Sequence, residues 1–137
     1  MDHHRFDIDK IEASPLCISV YNKALDIILW NKTCEEHFRL RRSEVLGKNL
    51  FSLFPFIEDD YRVKCLRSAF EGRSYFFRKI PYRFSKGLYT QYILPYQVES
   101  NKVQSVLNII QNLNGVESMT SEQIISDLSA ESLLRAV

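Results

Sequence analysis

The sequence predicts an α+β domain in which a five-stranded antiparallel sheet carries short helices on one face. Three observations lead to this prediction. Two short apolar and β-branched segments come first, a run of short helical segments follows, and three strand-like segments occupy residues 74–111. Short turns between neighbouring strands favour antiparallel pairing, and one face of such a sheet must be buried against the helices.

The first two strands are expected at residues 16–21 and 26–30, joined by a turn at Asn22-Lys23 as an antiparallel hairpin. Asn31 follows as a helix N-cap, because its side-chain oxygen can accept a backbone N–H of the first turn. In the short helix that it begins, Cys34 and Phe38 lie on one face. Ser43 is expected to start a second short helix that ends at Gly47.

A third apolar segment, closed by Pro55, leads into a longer helix at residues 61–71. Strands are then expected at residues 74–80, 88–98 and 103–111. Pro95 interrupts the second of these, which predicts an edge position or a bulge. The chain thus divides into an N-terminal flanking segment (1–14), the sheet domain (15–115) and a C-terminal helical extension (116–137).

Length and charge limit the functional classes. The chain has 137 residues and a net charge of +1, so nothing in its overall charge favours nucleic acid or an anionic membrane. Its N-terminus has no apolar run typical of a signal peptide, and no segment approaches the length of a membrane span. Its three cysteines fit no metal-site spacing and lie among apolar neighbours, so buried reduced thiols and a cytoplasmic location are expected.

The stretch from Trp30 to Pro55 resembles the PAS sensory-domain family. The family pattern has Trp-Asn after the second strand, then two small residues, Glu, a large apolar residue, Glu-Val-Leu-Gly-Lys and an apolar segment ending in Phe-Pro. The matching residues are Trp30, Asn31, Cys34, Glu35, Phe38, Glu44, Val45, Leu46, Gly47, Lys48, Leu50, Phe54 and Pro55. Arg39, Leu40 and Arg41 depart from it. The resemblance covers residues 10–115 and implies a five-stranded sheet with helices on one face.

This resemblance implies a sensory or interaction domain of an intracellular signalling protein. The domain would bind a small molecule or relay a signal to an effector beyond residue 137, such as a histidine kinase, a nucleotide cyclase or a transcriptional regulator. The alternative is a ligand-free homodimerisation module with a filled core. A closed pocket of a few hundred Å³ with buried polar groups would favour sensing, as roughly 300–1,000 Å³ is usual for ligand sites.

Candidate pocket residues are the bulky side chains of the elements that should meet between sheet and helices. They are Ile28, Trp30, Asn31, Phe38, Leu50, Phe54, Leu66, Tyr75, Phe77, Tyr92 and Ile109. Asn31 could contact a ligand, but capping chemistry alone explains it. An aromatic belt between Tyr75 and Tyr96 could line the pocket, although filling the core explains it more simply. His37 is expected to point to water.

No cofactor or metal is expected. In flavin-binding light sensors of the family a reactive Cys follows Gly-x-Asn, and Leu50 stands there. Haem-binding members use a His on the long helix, and residues 61–71 contain none, so the protein is expected to be colourless. Enzyme motifs are absent: the sequence has no Gly-x-Ser-x-Gly, no His-Glu-x-x-His and no phosphate-binding Gly-rich loop, so no catalytic residue is assigned.

Self-association is also expected. The last strands carry more large apolar side chains than one buried face can hold, so aromatics should remain on the outer face of the sheet. Apolar residues of the flanking helices, such as Phe6, Ile11 and Ile124, need partners as well. The sequence therefore predicts a homodimer through the outer sheet face and the flanking helices. The competing possibility is a monomer whose own tail helix covers that face.

Overall fold

The computed structural model describes residues 9–57, 60–81 and 88–112. Most of the flanking segment 1–14 and all of the extension 116–137 therefore lie outside the described residues, as do Phe6, Ile124 and the aromatic residues Tyr82 and Phe84. A short helix, α1, covers residues 9–13, the end of the N-terminal flanking segment.

The order of the elements is two strands, a run of short helices and three strands, as the sequence predicts. The first strands are β1 (Cys17–Asn22) and β2 (Ile27–Trp30). The helices are α2 (Lys32–Phe38), α3 (Arg42–Val45), α4 (Leu50–Leu53), a 3-10 turn (Pro55–Ile57) and α5 (Tyr61–Ala69). The last strands are β3 (Tyr75–Pro81), β4 (Leu88–Glu99) and β5 (Lys102–Asn112).

The five strands form one antiparallel sheet in the order β2-β1-β5-β4-β3. The first and last strands of the chain are therefore neighbours at the centre, with Ser19 opposite Asn108. This confirms the predicted fold class. β4 lies inside the sheet, and its register shifts between Pro95 and Gln97, so Pro95 occupies a bulge, the second of the two predicted possibilities.

Both faces of the sheet are buried by apolar side chains. The inner face, which includes Trp30 and Ile93, packs on helical residues such as Val63, and together they form an inner cluster. The outer face holds a second cluster that α1 covers in part, and this outer cluster consists of Ile11, Leu16, Ile18, Val20, Tyr96, Leu107 and Ile109. Burial on both faces explains why the strands carry more large apolar residues than one face can hold.

The start of α3 differs from the prediction. Its N-cap is Arg41 and not Ser43, which lies inside the helix. The reason is that Glu44 caps from within: its Oε1 accepts the backbone N–H of Arg41 at 3.0 Å. Gly47 follows with a φ of +82°, in the left-handed region expected for the residue that ends this segment.

No helix within the described ranges combines the length and apolar character that crossing a bilayer requires.

Candidate functional site

A cavity of about 120 Å³ lies between the inner face of the sheet and the helices and is partly open to solvent. Helices α2, α4 and α5 form one side of it, and strands β1, β4 and β5 form the other. The volume is below the roughly 300 Å³ at which ordinary ligand pockets begin. The core is nevertheless not completely filled, whereas the alternative dimerisation module would have a filled core.

The apolar wall contains the predicted residues Trp30, Phe38, Leu50, Phe54 and Leu66. Trp30 is fixed by its indole N–H, which donates to the carbonyl of Leu40 at 3.0 Å. The ring of Phe38 lies 5.2 Å from the ring of Trp30 and 5.9 Å from that of Phe54, measured between centroids. These contacts hold the aromatic wall in a defined shape.

Three predicted wall residues face away from the cavity. Ile28 is 45% exposed, because Ile27 is the β2 residue that turns inward. Tyr92 and Ile109 pack in the outer cluster. Alternation along the strands explains this correction, since one residue of displacement places a side chain on the opposite face.

The remaining predicted aromatics on β3 fill the core beside the cavity. Tyr75 and Phe77 are partly buried against the inner cluster, and their rings stack at 6.4 Å. The belt therefore divides between the faces: Tyr89 lines the cavity, whereas Phe76 stacks on Tyr92 at 4.5 Å.

Asn31 is the N-cap of α2 and also the centre of a larger junction. Its Oδ1 accepts the backbone N–H groups of Cys34 at 3.0 Å and Ile18 at 3.1 Å. Its Nδ2 donates to the carbonyls of Ile11 at 2.9 Å and Leu16 at 2.8 Å. All the bonds that the amide forms here are to backbone groups, and it does not border the cavity, so its geometry supports the structural role.

Further contacts tie α1 to the domain beside Asn31. The hydroxyl of Thr33 donates to the carbonyl of Ser14 at 2.7 Å. The guanidinium of Arg42 donates to Glu12 and to the carbonyl of Trp30, both at 2.9 Å. The end of the N-terminal flanking segment is therefore held to the strand β2 and the helices α2 and α3.

One end of the cavity is polar and carries a matched pair of charges. Arg62 donates to both oxygens of Asp60, from Nε at 3.0 Å and from Nη2 at 2.8 Å, and its Nη1 donates to the hydroxyl of Tyr89. These hydrogen bonds to Asp60 raise the pKa of Arg62. Asp60 also caps α5 by accepting the N–H of Arg62 at 2.9 Å.

A row of uncharged polar side chains crosses the sheet next to this pair. Gln91, Asn108, Ser19 and Tyr21 come from three adjacent strands and all line the cavity. Gln91 donates to Asn108 at 2.6 Å, Asn108 to Ser19 at 3.4 Å, and Ser19 to Tyr21 at 3.0 Å. The residues of this row were not among the sequence candidates.

His37 also lines the cavity, which corrects the expectation that it points to water. It is half-buried, its ring lies edge-on to that of Phe38 at 4.7 Å, and burial lowers its pKa. The thiols of Cys17 and Cys34 border the same space, and burial raises the pKa of Cys34, which keeps it protonated. All three cysteines are buried and unpaired with one another.

The arrangement is suited to binding. An apolar wall, a polar row and a neutralised ion pair surround one space, as in sites that hold a small molecule by shape and a few hydrogen bonds. Within residues 9–57, 60–81 and 88–112, no cluster of three or more His, Cys, Asp or Glu side chains could hold a metal ion.

Residues 10–77 match the family model described as the PAS fold. The PAS domain of the histidine kinase ThkA is similar, with 26% identity and a TM-score of 0.59 over 70% of this chain and 97% of that one. No curated protein sequence matches this chain.

Two further solved structures share the fold at lower identity. The PAS domain of Bordetella pertussis BvgS is 17% identical, with a TM-score of 0.66 over 95% of this chain and 96% of that one. The PAS domain of the Cronobacter turicensis quorum-sensing receptor RpfR, solved in complex with BDSF, is 19% identical. Its TM-score is 0.56 over 76% of this chain and 99% of that one.

Proposed function

We propose that this chain, which belongs to the PAS family, is a sensory domain that binds a small molecule in its inner cavity and relays the binding event to an effector. The observation that carries the proposal is the cavity of about 120 Å³ between sheet and helices, with an apolar wall and a polar end. The fold relative RpfR, solved in complex with BDSF, is a precedent for a receptor of this fold.

A route from the cavity to the flanking segment supports the relay. The side chain of Cys34 borders the cavity, and its backbone N–H donates to Asn31 at 3.0 Å. The side-chain amide of Asn31 also donates, through Nδ2, to the carbonyl of Ile11 in α1 at 2.9 Å. A ligand that displaces α2 would therefore act on the attachment of α1 through one side chain.

The effector is proposed to be a signalling domain in the same protein, with a histidine kinase or a transcriptional regulator as the leading classes. The similarity to the PAS domain of ThkA, a histidine kinase, supports the first of these. A full-length protein with a ligand-dependent change in autophosphorylation would agree with it.

The homodimer expected from the sequence is kept as a proposal, with a structural condition attached. Ile18, Val20, Tyr96, Leu107 and Ile109 of the outer cluster are each at most 4% exposed within a single chain. A second copy could use this face fully only after α1, which covers part of it, moves aside. Sedimentation equilibrium at micromolar concentration tests it, with a single species at 16.1 kDa against a dimer of twice that mass.

Native mass spectrometry of protein purified from cells tests the sensing function. We expect a species heavier than the 16.1 kDa chain, with the excess lost on denaturation. The matched control is Val63→Phe, which adds bulk to a residue of the cavity wall and should remove the excess mass. Circular dichroism verifies that this variant is folded. A bare mass under gentle ionisation, together with no small molecule that raises the melting temperature, would contradict the proposal.

A further inference from the structure

The polar row on the inner face has an open end at Gln91. Its Nε2 donates to Asn108, whose Nδ2 donates to Ser19, whose hydroxyl donates to Tyr21. In this arrangement Asn108 and Ser19 each accept one bond and donate the next. Burial raises the pKa of Tyr21, so its hydroxyl stays neutral. At the other end of the row, the Oε1 of Gln91 is a buried oxygen without a hydrogen-bond partner.

An unpartnered oxygen at this position is unusual. The Gln91 side chain is on β4, only 7% exposed, and forms part of the cavity wall. Buried polar atoms in folded proteins nearly always have a partner, because leaving one without it carries the full cost of desolvation. A carbonyl oxygen of this kind accepts hydrogen bonds and cannot donate them. The missing partner is therefore a donor, and the space that Gln91 borders is where a ligand can supply it.

The charges around the cavity select against an ionic ligand. Arg62 is the cation at the polar end, and its guanidinium holds both carboxylate oxygens of Asp60 at 3.0 and 2.8 Å. The pair has no net charge to offer. The thiol of Cys34 is kept protonated, since burial raises its pKa. An ion placed here would have to give up its hydration without a counter-charge.

We infer that the cavity takes a small uncharged molecule with an apolar body and one hydroxyl or N–H group that donates to Gln91 Oε1. This deepens the proposed function and rests on it. The size of the ligand follows from the volume of the cavity. At about 120 Å³, this cavity is close to the engineered apolar cavity of about 150 Å³ that admits benzene. The apolar body would lie against Phe38, Leu50 and Phe54, with its donor toward β4. Phenol has the size and chemistry required.

Three probes of similar size test this inference: phenol, which donates, toluene, which has no polar group, and benzaldehyde, which only accepts. Their affinities are measured by NMR titration for the wild type and for Gln91→Met, which keeps the length of the side chain and removes its oxygen. We expect the ratio of phenol affinity to toluene affinity to fall about threefold to tenfold in Gln91→Met, the worth of one hydrogen bond. Taking ratios cancels the different hydration of the probes.

Two controls separate this effect from general disturbance. Thr90→Val changes the neighbouring residue of β4, whose side chain alternates to the opposite face, and should leave the phenol-to-toluene ratio unchanged. Gln91→Leu is measured beside Gln91→Met, so that a folding defect in one does not remove the test.

Each of the other outcomes overturns the inference in a distinguishable way. An unchanged phenol-to-toluene ratio means that cavity binding stands but Gln91 does not select a donor. A fall in the ratio of benzaldehyde affinity to toluene affinity in Gln91→Met, in place of the phenol ratio, means that Gln91 presents its N–H to the cavity and that the ligand accepts. Binding of none of the three probes to the wild type contradicts both the inference and the sensing function.

Discussion

Asn31 and Gln91 are two buried side-chain amides with opposite hydrogen-bonding patterns. Asn31 is fully buried and forms bonds of 3.1, 2.9, 2.8 and 3.0 Å to four backbone groups. Gln91 is 7% exposed and donates at 2.6 Å to Asn108, and its oxygen has no partner. The same functional group thus serves the fold in one place and leaves a binding capacity in the other.

The surroundings explain the difference. Asn31 lies where β2 meets α2 and where the chain passes from α1 into β1, so orphan backbone groups converge on it. Gln91 lies in the middle of β4, where the backbone groups are paired in the sheet and only side chains and the cavity are within reach. Substitution at Asn31 therefore measures stability, and substitution at Gln91 measures ligand selection.

The largest effect is expected for Asn31→Ala. This change leaves two backbone N–H groups and two carbonyls without their partner, so we expect a loss of about 3 kcal/mol or more in the free energy of unfolding. A simple N-cap would lose about 1 kcal/mol. Urea denaturation of the variant and the wild type measures the difference.

Asn31→Asp sharpens this result. A carboxylate can still accept from Ile18 and Cys34, but it cannot donate to Ile11 and Leu16. We expect this variant to keep α2 capped and to loosen α1, which limited proteolysis near residue 12 would detect. If Asn31→Ala and a variant lacking α1 lose the same free energy of unfolding, the stability that α1 adds comes from the Asn31 junction alone.

A smaller effect is expected for Thr33→Val, which has nearly the same shape and loses only the hydroxyl. The lost bond is the one to the carbonyl of Ser14 at 2.7 Å, and its removal should cost about 1 kcal/mol. The same urea experiment measures it. A cost as large as that of Asn31→Ala would show that the attachment of α1 is not centred on the amide.

His37 makes the cavity side sensitive to pH. Burial holds its pKa below the ordinary value of 6.5, so the unfolded chain binds a proton more readily than the native state as the pH falls. The contribution to stability is complete above pH 6.5 and is lost as the pH falls through the native pKa. We expect His37→Gln to flatten the decline in unfolding free energy between about pH 7.5 and pH 5.5.

Glu12 is a second group that affects the pH dependence of the unfolding free energy. Burial raises its pKa despite the nearby Arg42, so its own contribution has the opposite sign and lies at lower pH, above the ordinary 4.5 of a carboxyl. The difference between the wild type and His37→Gln cancels it. Parallel pH profiles for the two proteins would show that His37 titrates normally in the native state.

Much of the fold is predictable because its signals are local. Asn31 and Asp60 cap helices through their own side chains, and Gly47 and Gly72 adopt positive φ after helical segments. Strand positions follow from runs of β-branched and aromatic residues. The N-cap at Arg41 was missed because Glu44 acts backward from inside the helix, although a Glu three residues after the cap is the usual signal.

The site was harder to predict, because strand alternation does not say which set of residues faces inward. Along β4, Tyr89 and Gln91 alternate with Tyr92 and Leu94, and the more apolar set would ordinarily be placed in the core. Here that set faces the outer cluster, which α1 helps to cover through Ile11. Polar strand residues that face an inner core were therefore missed, and only the register with β5 identifies them.

The central claim is that Gln91 serves to bind a ligand and contributes little to the stability of the fold. Gln91→Met tests this claim most directly. The change removes the bond to Asn108, and it leaves Asn108 Oδ1 as the unpartnered oxygen in place of Gln91 Oε1. The number of unpartnered oxygens in the row is therefore unchanged, and the cost is that of one hydrogen bond. Urea denaturation without ligand should give an unfolding free energy within about 1 kcal/mol of the wild type. A loss comparable to that of Asn31→Ala would contradict the claim, since Gln91 would then be part of the structural framework.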